Sequence, residues 1–360
     1  MNWFIIIFFF IAIGLFAMSH YLRLKKEIAR DNIEHFQTEG KAKANAKAIA
    51  KYNNIKQINF KNASEASKLI NKNAEYLQKM NQPNLSARGC NSQDELYNKY
   101  LDAFDDISDK ERNIVSKFIQ ELLEKIRSRN LAYYNYLCNW LSRISFAKAK
   151  PWLEAGMPHT LEDTIIMDAG WFINPRETTL VHELTHVHQR IVSFEFEEVY
   201  KDLGYLEYTP GVENIKGMGA VVALNRNNPD GLSANWLWLD NNNNNVKTYW
   251  WIGAIFNSIT PSSLTDVNNV GLKLERDSDG TYYYLKQQPT LLNSLDVFNK
   301  FFGMNNDSSN NYHPNEMSAK FGEWFLEYVL GNANGEKYNC DGFKIYKKYF
   351  EKLINTFYSK

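Results

Sequence analysis

The stretch Asn174-Pro175-Arg176-Glu177-Thr178-Thr179-Leu180-Val181-His182-Glu183-Leu184-Thr185-His186-Val187-His188-Gln189 decides how the rest of the chain is read. It opens with signals for a helix start. Asn174 suits the N-cap, Pro175 the first helical position, and Glu177 completes an N-x-x-E capping pattern. At about 100° per residue, His182 and His186 fall about 40° apart on one face. Both imidazoles can then reach one ion, and Glu183 lies beside them, within reach of a water in the ion's open position. Leu180, Leu184, Val187 and Ile191 form a stripe about 180° from the two histidines, so one face enters a core and the other faces a cleft. Gln189 is on the histidine side and is placed to line that cleft. His188 lies about 200° from His186, a poor position for the same ion, and is expected to pack elsewhere.

His182-Glu183-Leu184-Thr185-His186 is therefore an HExxH sequence. It predicts one zinc ion per chain, with Glu183 as general base toward a zinc-bound water whose pKa the metal lowers toward about 7. A catalytic zinc usually takes a third protein ligand. The HExxHxxGxxH pattern is absent, because Gln189 and Val192 occupy the later positions. A distant residue must serve, and Glu316 in Asn315-Glu316-Met317-Ser318-Ala319 is the candidate. Glu323 on nearly the same helix face, and Glu195, Glu197 and Glu198 closer in sequence, are its rivals.

HExxH followed by N-E-x-x-A on a later helix resembles the gluzincin group of zinc metallopeptidases. The likeness covers two short motifs. It implies that Glu316 completes a His₂Glu ligand set and that the small residue Ala319 lets two helices pack closely. It also implies that the segment Thr164–Phe172 supplies an edge strand along which a protein or peptide substrate adds through main-chain bonds. From His186 to Glu316 is 130 positions, far more than gluzincins typically use, so a subdomain must lie between the two helices. Tyr312 and His313, just before the proposed ligand, are candidate donors to a developing oxyanion, with Tyr205 and Tyr208 as alternatives.

The remaining sequence frames this site. Lys+Arg and Asp+Glu are both 41, so no global basic field exists to attract nucleic acid, and none is expected as a partner. No phosphate-binding GxxxxGK[ST] loop and no GxSxG elbow occur. Cys90, Cys138 and Cys340 are isolated, which favours a reducing compartment without excluding one disulfide. Trp3 to Met18 is an uncharged apolar run followed at once by Arg23, Lys25, Lys26 and Arg30. Two readings compete: a cleaved signal peptide, for which Ala17-Met18-Ser19 offers a small-residue site but no basic n-region precedes it, and the favoured one, an uncleaved single-pass membrane anchor with the main domain on the cytoplasmic side. Asn62-Ala63-Ser64, Asn84-Leu85-Ser86 and Asn306-Asp307-Ser308 match the N-glycosylation pattern and point the other way.

The expected organisation is an anchor at 1–22, a polar helical stalk or linker at 23–90, and a zincin-like catalytic domain at 91–360. The expected fold is α+β: a mainly helical zincin-like metallopeptidase domain, with a small sheet before the active helix, behind an N-terminal transmembrane helix. Helices are predicted from about Ile114 to Ile126, Leu131 to Ala147 and, as the last long one, Pro314 to Leu330, with another segment from Phe343 to Phe357 and strands at Thr164–Asp168 and Tyr282–Tyr284. Asn228-Pro229-Asp230-Gly231 predicts a turn, and Asn241 to Asn245 a solvated loop. Two other functions compete with a peptidase. One is a membrane-tethered binding or structural protein with a vestigial or structural zinc site. The other is a zinc hydrolase acting on a non-peptide amide.

Overall fold

The computed structural model describes residues 58–71, 74–231, 235–240, 247–278, 280–285, 289–304 and 312–359. The proposed anchor, the first part of the proposed stalk, the Asn241–Asn245 loop and Asn306 lie outside them. No helix among the described residues is long and apolar enough to cross a membrane.

The strands are β1 (Asn59–Phe60), β2 (Phe104–Asp105), β3 (Ser145–Ala149), β4 (His159–Leu161), β5 (Thr164–Asp168), β6 (Tyr205–Glu207), β7 (Trp236–Asp240), β8 (Thr248–Phe256), β9 (Val267–Arg276), β10 (Tyr282–Tyr283) and β11 (Thr290–Leu291). The α-helices are α1 (Ala63–Ser67), α2 (Glu75–Gln78), α3 (Gln82–Ala87), α4 (Gln93–Leu101), α5 (Asp109–Arg127), α6 (Leu131–Leu141), α7 (Ala169–Ile173), α8 (Glu177–Ile191), α9 (Phe194–Asp202), α10 (Gly219–Val222), α11 (Asp296–Phe302), α12 (Pro314–Val329) and α13 (Asp341–Tyr358). Helix and sheet are thus mixed, with helix predominant, as an α+β fold requires.

Two sheets flank the central helix in the sequence. Before it stands a mixed sheet in the order β1-β3-β5-β4, with β2 also paired to β3. After it comes a mainly antiparallel sheet in the order β10-β9-β8-β7-β6, with β11 also on β9. This second sheet occupies much of the long interval between the two motifs. Its strands carry the aromatic residues of that region: Trp238 and Trp251 are each about 1% exposed.

Several local expectations need correction. The helix expected over Leu131 to Ala147 stops at Leu141, and Ser145–Ala149 is instead a central strand, paired in parallel with both β1 and β5. Its apolar residues satisfy either a buried helix or a doubly covered strand, and only the neighbouring strands decide. The described part of the segment expected as a stalk or linker is folded. Residues 58–90 form β1 and α1–α3, and Ala66, Tyr76, Leu77, Met80 and Leu85 enter a core cluster with Leu96 and Phe104. A few well-spaced apolar residues are enough to bury a short helix when a sheet is there to receive them. Asn84 is fully buried, with its side-chain amide donating to Asn81 Oδ1 and Asn225 O, so it offers no glycosylation site. Cys90, Cys138 and Cys340 are buried and unpaired.

The start of α8 also differs. Its N-cap is Arg176, with no side-chain cap, while Asn174 closes α7 by donating its N–H to Gly170 O at 3.0 Å. Asp168 caps α7 by accepting from the N–H groups of Gly170 and Trp171. A residue before proline is disfavoured in the α region, so α7 has to end at Asn174 and the chain turns before α8 begins.

Helix α12 packs along α8. Ala319 is fully buried, and Gly322 faces Thr185 and Val181 of α8. A Cβ at Gly322 would stand 2.8 Å from Thr185 Oγ1, so a side chain there would push the helices apart. This contact sets the spacing between the histidines of α8 and the glutamate of α12.

Candidate metal centre

Helix α8 presents the three residues of interest on one side. Leu180, Val181, Leu184 and Val187 are buried on the other. Ile191, expected in that stripe, is 48% exposed, because α8 ends there. His188 takes its place in the core. Its ring lies 4.3 Å from that of Trp140, with Nδ1 3.0 Å from Tyr136 OH and Nε2 2.7 Å from Glu195 Oε2. Glu195 is therefore committed to His188 and is no rival ligand.

Helix α12 brings Glu316 opposite the histidines. His313 is its N-cap, with Nδ1 accepting from Asn315 N at 3.1 Å, and Pro314 occupies the first turn. Glu316 Oε2 lies 3.3 Å from His182 Nε2 and 3.5 Å from His186 Nε2. One ligand atom from each of the three residues fits within a 4.8 Å span. Among the described residues this is the group of three or more His, Cys, Asp and Glu side chains that could hold a metal ion.

The outer hydrogen bonds fix which ring nitrogens face inward. His182 Nδ1 lies 2.7 Å from Glu323 Oε1, an acceptor, so Nδ1 carries the proton. Gln189 Nε2 donates to Asn315 O at 3.0 Å, so Gln189 turns its oxygen, 2.9 Å away, to His186 Nδ1. That nitrogen too is a donor. The two Nε2 atoms are left pointing at a carboxylate oxygen. A lone pair facing a carboxylate needs a proton or a cation between them.

The electrostatics agree. Burial pulls both histidines down, yet the Glu316 and Glu323 hydrogen bonds hold His182 well above its ordinary range. Asp230 and Glu316 likewise raise His186 against its burial. Burial would raise Glu316, but His186 and His182 hold its carboxyl well below the usual range. The arrangement favours positive charge between the rings and the carboxylate, a proton or a cation, and two imidazoles with one carboxylate are a donor set that could hold zinc.

Glu183 is 4% exposed, and its Oε2 has no hydrogen-bond partner among the described residues. Burial, reinforced by Asp230 and Glu316 and opposed by the two histidines, pushes its carboxyl up to about 8. A cavity of about 250 Å³ opens in front of His182, Glu183, His186 and Glu316. Arg226, Asn228 and Asp230, from the loop after α10, also line it. These three were not singled out as site residues from the sequence. Asn228-Pro229-Asp230-Gly231 signalled a turn, and nothing local showed that the turn faces α8.

Tyr312 and His313 are not on the wall of this cavity. Tyr312 OH accepts from Arg226 Nη2 at 3.3 Å, and His313 lines a neighbouring cavity beyond His186. The edge-strand expectation also changes. β5 is interior, between β3 and β4, and the edge is β4. Its residue Thr160 donates its N–H to Asp230, 3.1–3.2 Å away, and its carbonyl accepts from Arg190 at 3.1 Å. The chain's own Asp230–Arg190 pair therefore fills the main-chain position that an added peptide strand would use there.

Compared with known proteins, the chain matches no protein-family model, no curated protein and no solved structure. What the site can do follows from its own chemistry.

Proposed function

We propose that the chain is a zinc-dependent hydrolase acting on peptide bonds, with His182, His186 and Glu316 as ligands and Glu183 as general base. The observation that carries this reading is the convergence of two imidazole Nε2 atoms on one carboxylate oxygen, beside a buried glutamate with an unpartnered oxygen. Zinc held there would supply Lewis acidity, polarising a carbonyl and making water acidic near neutral pH.

The protein's own residues do the rest. Glu183 takes the proton of the attacking water on its free oxygen and returns it to the leaving amine. Burial pushes the Glu183 carboxyl up to about 8, and a cation held by His182, His186 and Glu316 would lower it again, leaving the carboxylate ionised to accept a proton. Glu323 and Gln189 hold the two imidazoles in the tautomer that ligates. Among the described residues no fourth His, Cys, Asp or Glu joins the group, so a zinc ion held there would keep a position for water, unlike the closed set of a structural zinc site.

The membrane anchor at Trp3–Met18 is part of this proposal. The full chain should stay in the membrane pellet after alkaline carbonate extraction, and its release would remove the anchor from the reading. The central test is metal content of the purified full chain, wild type beside Glu316→Ala. One zinc per chain, lost in the variant, is expected. Zinc absent after reconstitution would favour the non-enzymatic alternative, and zinc undiminished in the variant would move the third ligand elsewhere.

A further inference from the structure

Glu316 has two carboxylate oxygens, and only Oε2 faces the histidines. Asn228 Nδ2 donates to the other, Oε1, at 2.5 Å. The amide cannot be turned round, because Asn228 Oδ1 accepts from Asp230 N at 3.1 Å. Asn228 therefore fixes the rotation of the Glu316 carboxylate. It sits on a loop, not on a rigid element, so something must hold the loop.

The holding segment is the one expected from sequence to be a spacer. Asn84, fully buried in α3, donates to Asn225 O at 2.9 Å and accepts from Asn227 N at 2.8 Å. Arg88 Nη2 donates to Asn227 O at 3.1 Å, while Glu154 anchors the same guanidinium. Asn81 Nδ2 donates to Ala223 O at 2.8 Å, and Asn227 Nδ2 donates back to Lys79 O at 2.7 Å. Residues 79–88 thus bond to the backbone of Ala223, Asn225 and Asn227 and to the Asn227 side chain, immediately before Asn228. The partners are more than 130 positions apart in sequence, as the Asn84–Asn227 bond illustrates with its separation of 143.

We infer that Asn228 is a positioning residue for the Glu316 carboxylate, and that residues 79–88, with Asn84 at their centre, are the clamp that holds Asn228 in register. The inference rests on the metal-centre reading above. The physical basis is that a ligating carboxylate free to rotate loses part of its binding to orientation, and outer hydrogen bonds prevent that loss.

The test is zinc affinity of the full chain by competition with a chromogenic chelator, with thermal unfolding recorded in parallel. Asn228→Ala and Asn228→Leu should each weaken zinc binding by about 10–100-fold, the range for loss of an outer-shell partner. Leucine keeps the side-chain volume, so its agreement with alanine isolates the hydrogen bond from packing. Asn84→Ala should weaken zinc in the same direction. Asn227→Ala removes only the bond to Lys79 O at the surface, and keeps the clamp testable if Asn84→Ala fails to fold. Ser108→Ala, which breaks the capping box of α5 away from the cavity, should lower Tm and leave zinc affinity unchanged. Zinc bound by wild type and equally by both Asn228 variants overturns the inference and leaves the centre standing. Retention by Asn228→Leu alone reduces Asn228 to packing and also overturns it. An equal loss in Ser108→Ala would make the effect one of general stability. No zinc in wild type overturns the centre and the inference together.

Discussion

Glu154 and Glu183 line the same cavity and are about equally buried, at 3% and 4% exposed, yet their chemistry is opposite. Burial raises the pKa of both. Around Glu154 that tendency is overcome. Arg88 donates to both carboxylate oxygens, at 3.1 and 2.7 Å, Tyr100 adds a short hydrogen bond, and the carboxyl is held down at about 2. Around Glu183 the nearest positive groups are histidines already shared with Glu316, Asp230 adds repulsion, one oxygen has no partner, and the carboxyl is pushed up to about 8. A saturated buried carboxylate is a structural strut, whereas one left unsatisfied has an oxygen open to a further donor. Partners, not burial, separate the two.

Glu183→Gln should retain zinc and lose about 10²–10⁴-fold in turnover, since only proton transfer is removed. Full activity in that variant would end the assignment of Glu183. Glu154→Gln leaves Arg88 buried without its countercharge, so denaturant unfolding should show a loss of about 3–5 kcal/mol. If Glu154→Gln cost nothing while Glu183→Gln destabilised the fold, the two roles would be reversed.

Acid titration addresses the same pair. The folded pKa of Glu154 lies below its unfolded value, so its contribution is complete above about pH 4.5 and is lost as the pH falls toward about 2. The drop should be about 3 kcal/mol across that window, and Glu154→Gln should flatten it. The smallest expected effect on stability is Gly322→Val. It forces α12 away from Thr185 of α8 and should cost about 1–3 kcal/mol, while weakening zinc through Glu316 and leaving the Arg88–Glu154 pair intact. Unchanged zinc affinity there would show that the helix spacing does not set the ligand geometry.

The legible part of this molecule was local. His182, Glu183 and His186 share a helix face because five residues of sequence span about one helical turn, and no tertiary information is needed to place them. The same holds for α5, for β5 and for the helix opened by Pro314, each marked by periodicity or by a terminal signal. The extent of α6, the role of residues 58–90 and the second sheet were not legible in the same way. Their apolar residues are compatible with more than one element until a neighbour is present to cover them.

Glu316 shows where the boundary runs. Its sequence nominated it through one short motif, with Glu323 and Glu195 as competitors. Only the packing of α12 against α8, made close by Gly322, brings Glu316 to the Nε2 atoms, sets Glu323 behind His182 and leaves Glu195 with His188. Sequence alone determined which side chains could carry acid–base and ligand chemistry on one helix, because that depends on spacing along a single backbone. Tertiary structure alone decided which carboxylate faces them, which loop holds it and which buried glutamate stays unpaired. Those outcomes depend on contacts between segments far apart in sequence, 88 positions for Asn228 and Glu316 and 134 for His182 and Glu316, whose distance no local pattern encodes.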